Sequence, residues 1–109
     1  MINEKKVDEM LLELGYPEHL TGTQMLRDAV RYYRPGMSIT KELYPALAAA
    51  ANSTPGRIER AIRHATENAW DRQGYGTALK YFGNSISPEK GRPTNIELIA
   101  RLERLCREN

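Results

Sequence analysis

Residues 38–71 read SITKELYPALAAAANSTPGRIERAIRHATENAWD, and this stretch contains the signals for two consecutive helices. Thr54 followed by Pro55 predicts where the second helix starts, because threonine caps exposed amides and proline is favoured in a first turn. Apolar residues then recur along one side of that helix at Ile58, Ala61, Ile62, Ala65 and Ala69. The spacing predicts an amphipathic helix that runs to about Asp71.

The helix before it is predicted to begin near Ser38. Its apolar side chains share one side at Ile39, Leu43, Leu47 and Ala50. Pro45 lies inside this stretch and leaves two interpretations open. It either interrupts the helix, because it lacks an amide and clashes with the preceding turn, or it begins a shorter helix.

Three positions in this stretch match the requirements of a helix-turn-helix. The first helix needs a small residue where the second helix crosses it, and Ala48 is small. Four residues later the turn needs a residue that tolerates a left-handed backbone, and Asn52 meets this requirement. Six residues further, Ile58 supplies an aliphatic anchor for the second helix. We therefore predict a helix-turn-helix over about residues 38–71.

The residues before 38 carry signals for two further helices. Gly15 ends the first, whose apolar residues have helical spacing at Val7, Met10, Leu11 and Leu14. Thr21 and Gln24 form a capping-box pattern, in which each side chain satisfies an amide at the helix start. This pattern predicts a helix that begins at Thr21 and ends at Pro35-Gly36.

The residues after 71 predict a short apolar piece at 78–82, a loop at 84–93 and a terminal helix. Thr94 and Glu97 form a second capping-box pattern at the start of that helix. Its inner side is predicted to carry Leu98, Leu102, Leu105 and Cys106. No stretch alternates with a period of two for long enough to predict a sheet. We expect an all-α fold, a compact domain of five to six helices.

Length and composition limit the class of protein. A chain of 109 residues that is 40% hydrophobic predicts one domain over residues 1–109. No apolar run approaches the roughly 18 residues that span a bilayer, so no membrane association is expected. The single cysteine, Cys106, excludes an internal disulfide and favours a reducing compartment, and we expect it to be packed in the core. We expect a cytoplasmic protein.

The outer side of the helix from Thr54 carries the residues that indicate function. Arg57, Glu59 and Arg60 lie near its start, where side chains reach base edges in a major groove. Arginine can donate two hydrogen bonds to guanine, and glutamate can accept one from cytosine, so we expect these three to contact bases. Arg63 and His64 follow one turn later and suit contacts to phosphates.

The start of the same helix predicts further phosphate contacts. Its unpaired amides attract anions, and Thr54 with Gly56 leaves the approach open. Four residues also have structural explanations. Glu59 and Arg63, four apart, can form an ordinary ion pair, His64 can be a polar surface residue, and Trp70 is expected in the core. The net charge of +2 is too small to establish by itself a polyanion as partner.

Other chemistry has little support in the sequence. His19, His64 and Cys106 lack the spacing of metal ligands. The chain has no glycine-rich phosphate loop, no nucleophile elbow and no pair of carboxylates on an apolar face. We therefore expect no metal, no cofactor and no catalysis.

Two segments, SITKELYP at 38–45 and RIERAIRHA at 57–65, resemble the C-terminal effector domain of the stage-zero sporulation response regulator, the master transcription factor of endospore formation. Further matches follow in chain order at Glu67, Ala69-Trp70, Phe82-Gly83 and Pro93-Thr94-Asn95. The resemblance extends over nearly the whole chain.

The resemblance implies a six-helix fold whose helix from Thr54 enters the major groove of a short box resembling TGTCGAA. It implies base contacts from Arg57, Glu59 and Arg60, and phosphate contacts from Arg63 and His64. The loop at Arg92, Thr94 and Asn95 would add backbone contacts, which agrees with the capped helix start there. It also implies a head-to-tail dimer on tandem boxes and a contact with the sigma subunit of RNA polymerase through residues 79–87.

The sequence departs from the family in three places. We expect no phosphoacceptor receiver domain within residues 1–109, so phosphorylation-controlled dimerisation is not expected there. Gly56 replaces a serine beside the first arginine, which removes one phosphate contact. Residues 80–85 differ around Phe82-Gly83, where the polymerase contact is implied.

Two alternatives to DNA binding stay open. A protein of the same fold could bind a sigma factor, RNA polymerase or a related regulator without contacting DNA. The presence of Arg57, Glu59 and Arg60 argues against a module that binds only protein, because a surface that does not contact bases does not need these three residues. RNA binding is disfavoured by the lack of an aromatic platform for unstacked bases.

Overall fold

The computed structural model describes residues 1–73, 75–83 and 91–108, and this part of the chain is all-helical as predicted. Its helices are α1 (Glu4–Glu13), α2 (Thr21–Tyr32), α3 (Tyr44–Ala50), α4 (Pro55–Gln73), α5 (Tyr75–Phe82) and α6 (Asn95–Cys106), with a π-helical turn at Ile39–Leu43. Residues 84–90 of the predicted loop lie outside the described residues.

The turn between α3 and α4 has the geometry that the sequence predicts. Asn52 has a φ of 52°, in the left-handed region that asparagine tolerates better than most residues. The Ser53 amide donates to the Ala48 carbonyl at 2.8 Å and closes the turn. Ala48 and Ile58 are both buried, as expected of a helix-turn-helix.

Pro45 begins a short helix, the second of the two interpretations. It lies in the first turn of α3, where no intrahelical partner is needed for the missing amide. The π-helical turn precedes it, and Ser38 caps that turn by accepting from the Lys41 amide at 3.0 Å. The predicted single run from Ser38 is therefore two successive elements.

One predicted helix cap is wrong and the other is confirmed. The N-cap of α2 is Leu20 and has no side-chain hydrogen bond, because Thr21 is already the first helical residue. The Leu20 carbonyl instead accepts from the Thr23 amide at 3.1 Å. At α6 both halves of the capping box form, between Thr94 and Glu97, at 2.9 and 3.2 Å.

Helices α2 and α4 pack closely because Gly22 has no side chain. A Cβ at this position would lie 1.8 Å from the Ala61 carbonyl oxygen and 2.9 Å from the Ala65 Cβ. Only glycine permits this approach without a shift of α4. The middle of α4, at Ala61 and Ala65, therefore packs directly against α2.

The core around α4 includes the residues expected to be structural. Trp70 is buried and makes edge-to-face contacts with Tyr16 and Phe82, at ring-centroid distances of 6.3 and 6.1 Å. Cys106 is buried against Met10, and burial raises the pKa of its thiol to about 11. It is a packed residue, as expected, rather than a reactive thiolate.

In the described part of the chain, no helix combines the length and the apolar character needed to cross a membrane.

Candidate nucleic-acid interface

Helix α4 has one buried apolar side and one exposed basic side. Ile58 and Ile62 are buried, and so are Ala65 and Ala69. The basic residues predicted to face DNA are exposed on its other side: Arg57, Arg60, Arg63 and His64. The arginines are turned outward, as the sequence prediction requires.

The start of α4 is capped and free of acidic residues. The Arg57 amide donates to the Thr54 hydroxyl oxygen at 3.3 Å, which confirms Thr54 as the cap. Thr54 and Gly56 are both exposed, and the first turn holds no carboxylate. The partial positive charge of the helix dipole is therefore presented to solvent at this end.

Glu59 and Arg63 form the ion pair that the sequence offers as a structural explanation. Arg63 Nη1 lies 2.8 Å from Glu59 Oε1 across one helical turn. The two side chains are 52% and 34% exposed, so solvent screens the pair, and it is worth about 0.3–0.5 kcal/mol. Such a pair restrains both groups without preventing either from taking another partner.

Residues 92–95, here called segment 92–95, lie beside the exposed side of α4. Asn95 Nδ2 donates to the Glu59 carbonyl at 2.9 Å, and Arg92 Nη2 lies 3.0 Å from Glu67 Oε2. Thr94 is exposed at the start of α6, while Asn95 is half-buried. The structure thus brings together the two groups of residues that the sequence assigns to one surface.

Two clefts mark the boundary between α4 and segment 92–95. One, of about 360 Å³, is lined by Thr40, Tyr44, Pro55, Gly56, Glu59, Thr94, Asn95 and Ile96. The other, of about 390 Å³, is lined by Glu59, Arg63, Thr66, Arg92, Pro93, Thr94 and Asn95. The starts of α4 and α6 therefore border the same concave surface.

Some residues of this surface are not identified by the sequence analysis. Asn68 donates to the His64 carbonyl at 3.1 Å, and its i,i+4 spacing is a local signal that could have indicated it. Glu67 pairs with Arg92, which is 25 residues away, so no local pattern indicates it. Tyr44 lines the first cleft, and burial is the main cause that raises the pKa of its phenol.

A tight turn that joins α3 to an amphipathic α4 with an exposed basic side defines a helical domain of the helix-turn-helix class. Residues 7–105 match the family model described as sporulation initiation factor Spo0A, C terminal. The chain belongs to this family, and the resemblance seen in the sequence is confirmed. It is a family of helical DNA-binding domains of transcription regulators, not of enzymes.

Proposed function

We propose that this chain binds double-stranded DNA sequence-specifically as a transcription regulator of the sporulation-initiation type, with α4 in the major groove. The observation that carries the proposal is the exposed basic side of α4, held outward by the burial of Ile58 and Ile62. A helix fixed on one side and cationic on the other suits a groove lined by phosphates.

Base contacts are assigned to Arg57, Glu59 and Arg60. They occupy the first two turns of α4, the part of a recognition helix that enters the groove most deeply. Arg57 and Arg60 are exposed and their guanidinium groups suit guanine, while the partly exposed Glu59 carboxylate suits the cytosine amino group.

Phosphate contacts are assigned to residues at the margin of this surface. Arg63 and His64 lie one turn further along α4, and Thr54 with Gly56 lies at its start. Arg92, Thr94 and Asn95 border α4 at the start of α6. Two helix starts on one surface favour the binding of anionic groups there.

Two partner proposals follow from the family alone. We propose a head-to-tail dimer on tandem sites and a contact between residues 79–87 and the sigma subunit of RNA polymerase. Leu79 and Lys80 are exposed on α5, and Lys80 is also paired with Glu13. Residues 84–87 lie outside the described residues.

The test is selection of preferred sites from a random duplex library, followed by binding measurements at two salt concentrations. We expect a defined box to be enriched, and to be bound about 10³-fold or more tightly than a scrambled duplex. A basic surface without base contacts would enrich no box and would bind both duplexes alike.

A pull-down with RNA polymerase distinguishes the proposed DNA binding from the alternative, a module that binds only protein. A module that binds only protein would retain the polymerase or its sigma subunit and show no salt-dependent binding to any duplex. That outcome would overturn the proposal of DNA binding.

A further inference from the structure

Segment 92–95 is attached to α4 at two points. Asn95 holds the main chain through the Glu59 carbonyl, and Arg92 holds the Glu67 side chain. Residues 59 and 67 are eight apart, which corresponds to about 12 Å along a helix axis. The Asn95 hydrogen bond is half-buried, whereas the Arg92–Glu67 pair is 44% and 42% exposed, so Asn95 is the stronger of the two restraints on the orientation of α4.

Asn95, which makes the first of these contacts, lies in a rigid part of the structure. Asn95 is the first residue of α6, directly after Thr94, whose reciprocal hydrogen bonds with Glu97 fix the local backbone. Leu98 and Ile99, in the following turn, are fully buried. The donor amide of Asn95 is therefore held in place by a capped helix that is packed into the core.

The Asn95 hydrogen bond also acts at a sensitive point of α4. Its acceptor is the main chain of Glu59, so a shift of this carbonyl moves the Glu59 side chain and the adjacent Arg60. The contact is half-buried, where a hydrogen bond competes less with water. Contacts to base edges need side chains held to within about 0.5 Å.

We propose that Asn95 and Arg92 are positioning residues that hold α4 in the orientation needed for base contact, so that segment 92–95 contributes to sequence specificity. The inference rests on the proposed DNA-binding function. It gives these two residues a role beyond the phosphate contacts assigned to them above. Their hydrogen bonds within the protein provide the evidence for that role.

The test compares Asn95→Ala with the wild-type chain on the selected duplex and on a scrambled duplex. Loss of positioning lowers the preference for the selected duplex by roughly tenfold, because Glu59 and Arg60 lose their alignment, while binding to the scrambled duplex falls only by the loss of one phosphate contact. Loss of a phosphate contact alone would weaken both duplexes equally. A purely structural role would lower the thermal midpoint without changing the preference.

Arg92→Gln supplies an independent measurement on an exposed residue. If Arg92 positions α4 in addition to contacting a phosphate, the preference falls and the slope of log affinity against log salt flattens by about one unit. If Arg92 acts only through a phosphate, the slope flattens by about one unit and the preference is unchanged. The second result would overturn the inference for Arg92.

Asn3→Ala is the matched control. Asn3 caps α1 by accepting from the Lys6 amide at 3.1 Å, so the variant also loses one asparagine hydrogen bond at a helix start. We expect a lower thermal midpoint and an unchanged preference between duplexes. If wild-type protein shows no preference, the proposed function itself fails. If Asn95→Ala keeps a wild-type preference, only the inference fails.

Discussion

The Arg60 side chain lies close to Gly56 at the start of α4. A Cβ added at Gly56 would lie 3.3 Å from Arg60 Nη1, so the Arg60 guanidinium extends back over the first turn of the helix. The serine that the family resemblance implies at this position would crowd the guanidinium in this conformation. Glycine at this position leaves room for the Arg60 guanidinium over the helix start.

Arg60→Ala tests the assignment of Arg60 to a base. We expect the variant to lose roughly 1–3 kcal/mol of binding free energy on the selected duplex and to relax the preference at one base position. The cause is the loss of a two-pronged hydrogen bond to guanine. Competition binding against duplexes changed one base pair at a time measures this effect.

Arg63→Ala is the contrasting substitution, one turn away on the same helix. Because Arg63 is assigned to a phosphate, we expect all duplexes to be weakened alike and the salt dependence to flatten by about one unit. A salt titration of affinity checks this. Identical behaviour of the Arg60 and Arg63 variants on selected and scrambled duplexes would contradict the division of roles.

Among the helices, the contact between α2 and α4 depends on a single glycine. Any side chain at position 22 meets the main chain of α4 at Ala61, and main-chain atoms cannot move aside as a flexible side chain can. The orientation of the proposed recognition helix is therefore tied to residue 22, on a helix that the proposed function assigns no DNA contact.

Gly22→Ala should destabilise the protein even though alanine favours helices. We expect the free energy of unfolding to fall by roughly 1–3 kcal/mol or more, because the added methyl group overpacks the contact with α4. Chemical denaturation measures this loss. Gly76→Ala in α5 is the control, since a Cβ there meets no atom within 4 Å. It should raise stability by about 0.5–1 kcal/mol, and an equal loss at both positions would refute the explanation.

At the scale of the whole molecule, long-range contacts join the ends of the chain. The Asn3 amide donates to the Cys106 carbonyl at 2.8 Å, and the Glu108 amide donates to the Met1 carbonyl at 2.8 Å. Glu13, at the end of α1, binds both Lys80 and Tyr81 of α5. α5 is thus attached to the beginning of the chain as well as to α4.

Glu13 makes this attachment dependent on pH. The hydrogen bond from Lys80, followed by that from Tyr81, lowers the pKa of the Glu13 carboxyl below its ordinary value of 4.5. A carboxyl group whose pKa is lowered by folding stabilises the folded state at pH values above its ordinary pKa. This stabilisation is lost as the pH falls through the pKa of the folded state. Glu13→Gln should therefore lower the thermal midpoint at neutral pH.

The midpoints of the Glu13→Gln variant and the wild type should converge as the pH falls below 4.5. Thermal unfolding followed by circular dichroism over this range measures the difference. Glu9→Gln on the same helix is the control, because Glu9 has no ion pair within the described residues and should change the midpoint little at any pH. A difference at Glu13 that persists at low pH would rule out the ionised carboxylate as its source.

The sequence by itself determined most helices, the turn at Asn52 and the outward side of α4. These features depend on residues within a few positions of one another, where periodicity, capping and backbone preference act directly. At Thr21 the start of the helix was predicted correctly but its cap was not, because a capping pattern places the cap only to within about one residue.

Only the tertiary structure decided how the helices are held against one another. The contacts from Asn95 to Glu59, from Arg92 to Glu67 and from Gly22 to Ala61 join residues 25 or more positions apart. No local pattern specifies such pairs, since they form only after the helices have packed around a common core. The orientation of α4 is for this reason a property of the whole fold, whereas its basic side is already present in the order of its residues.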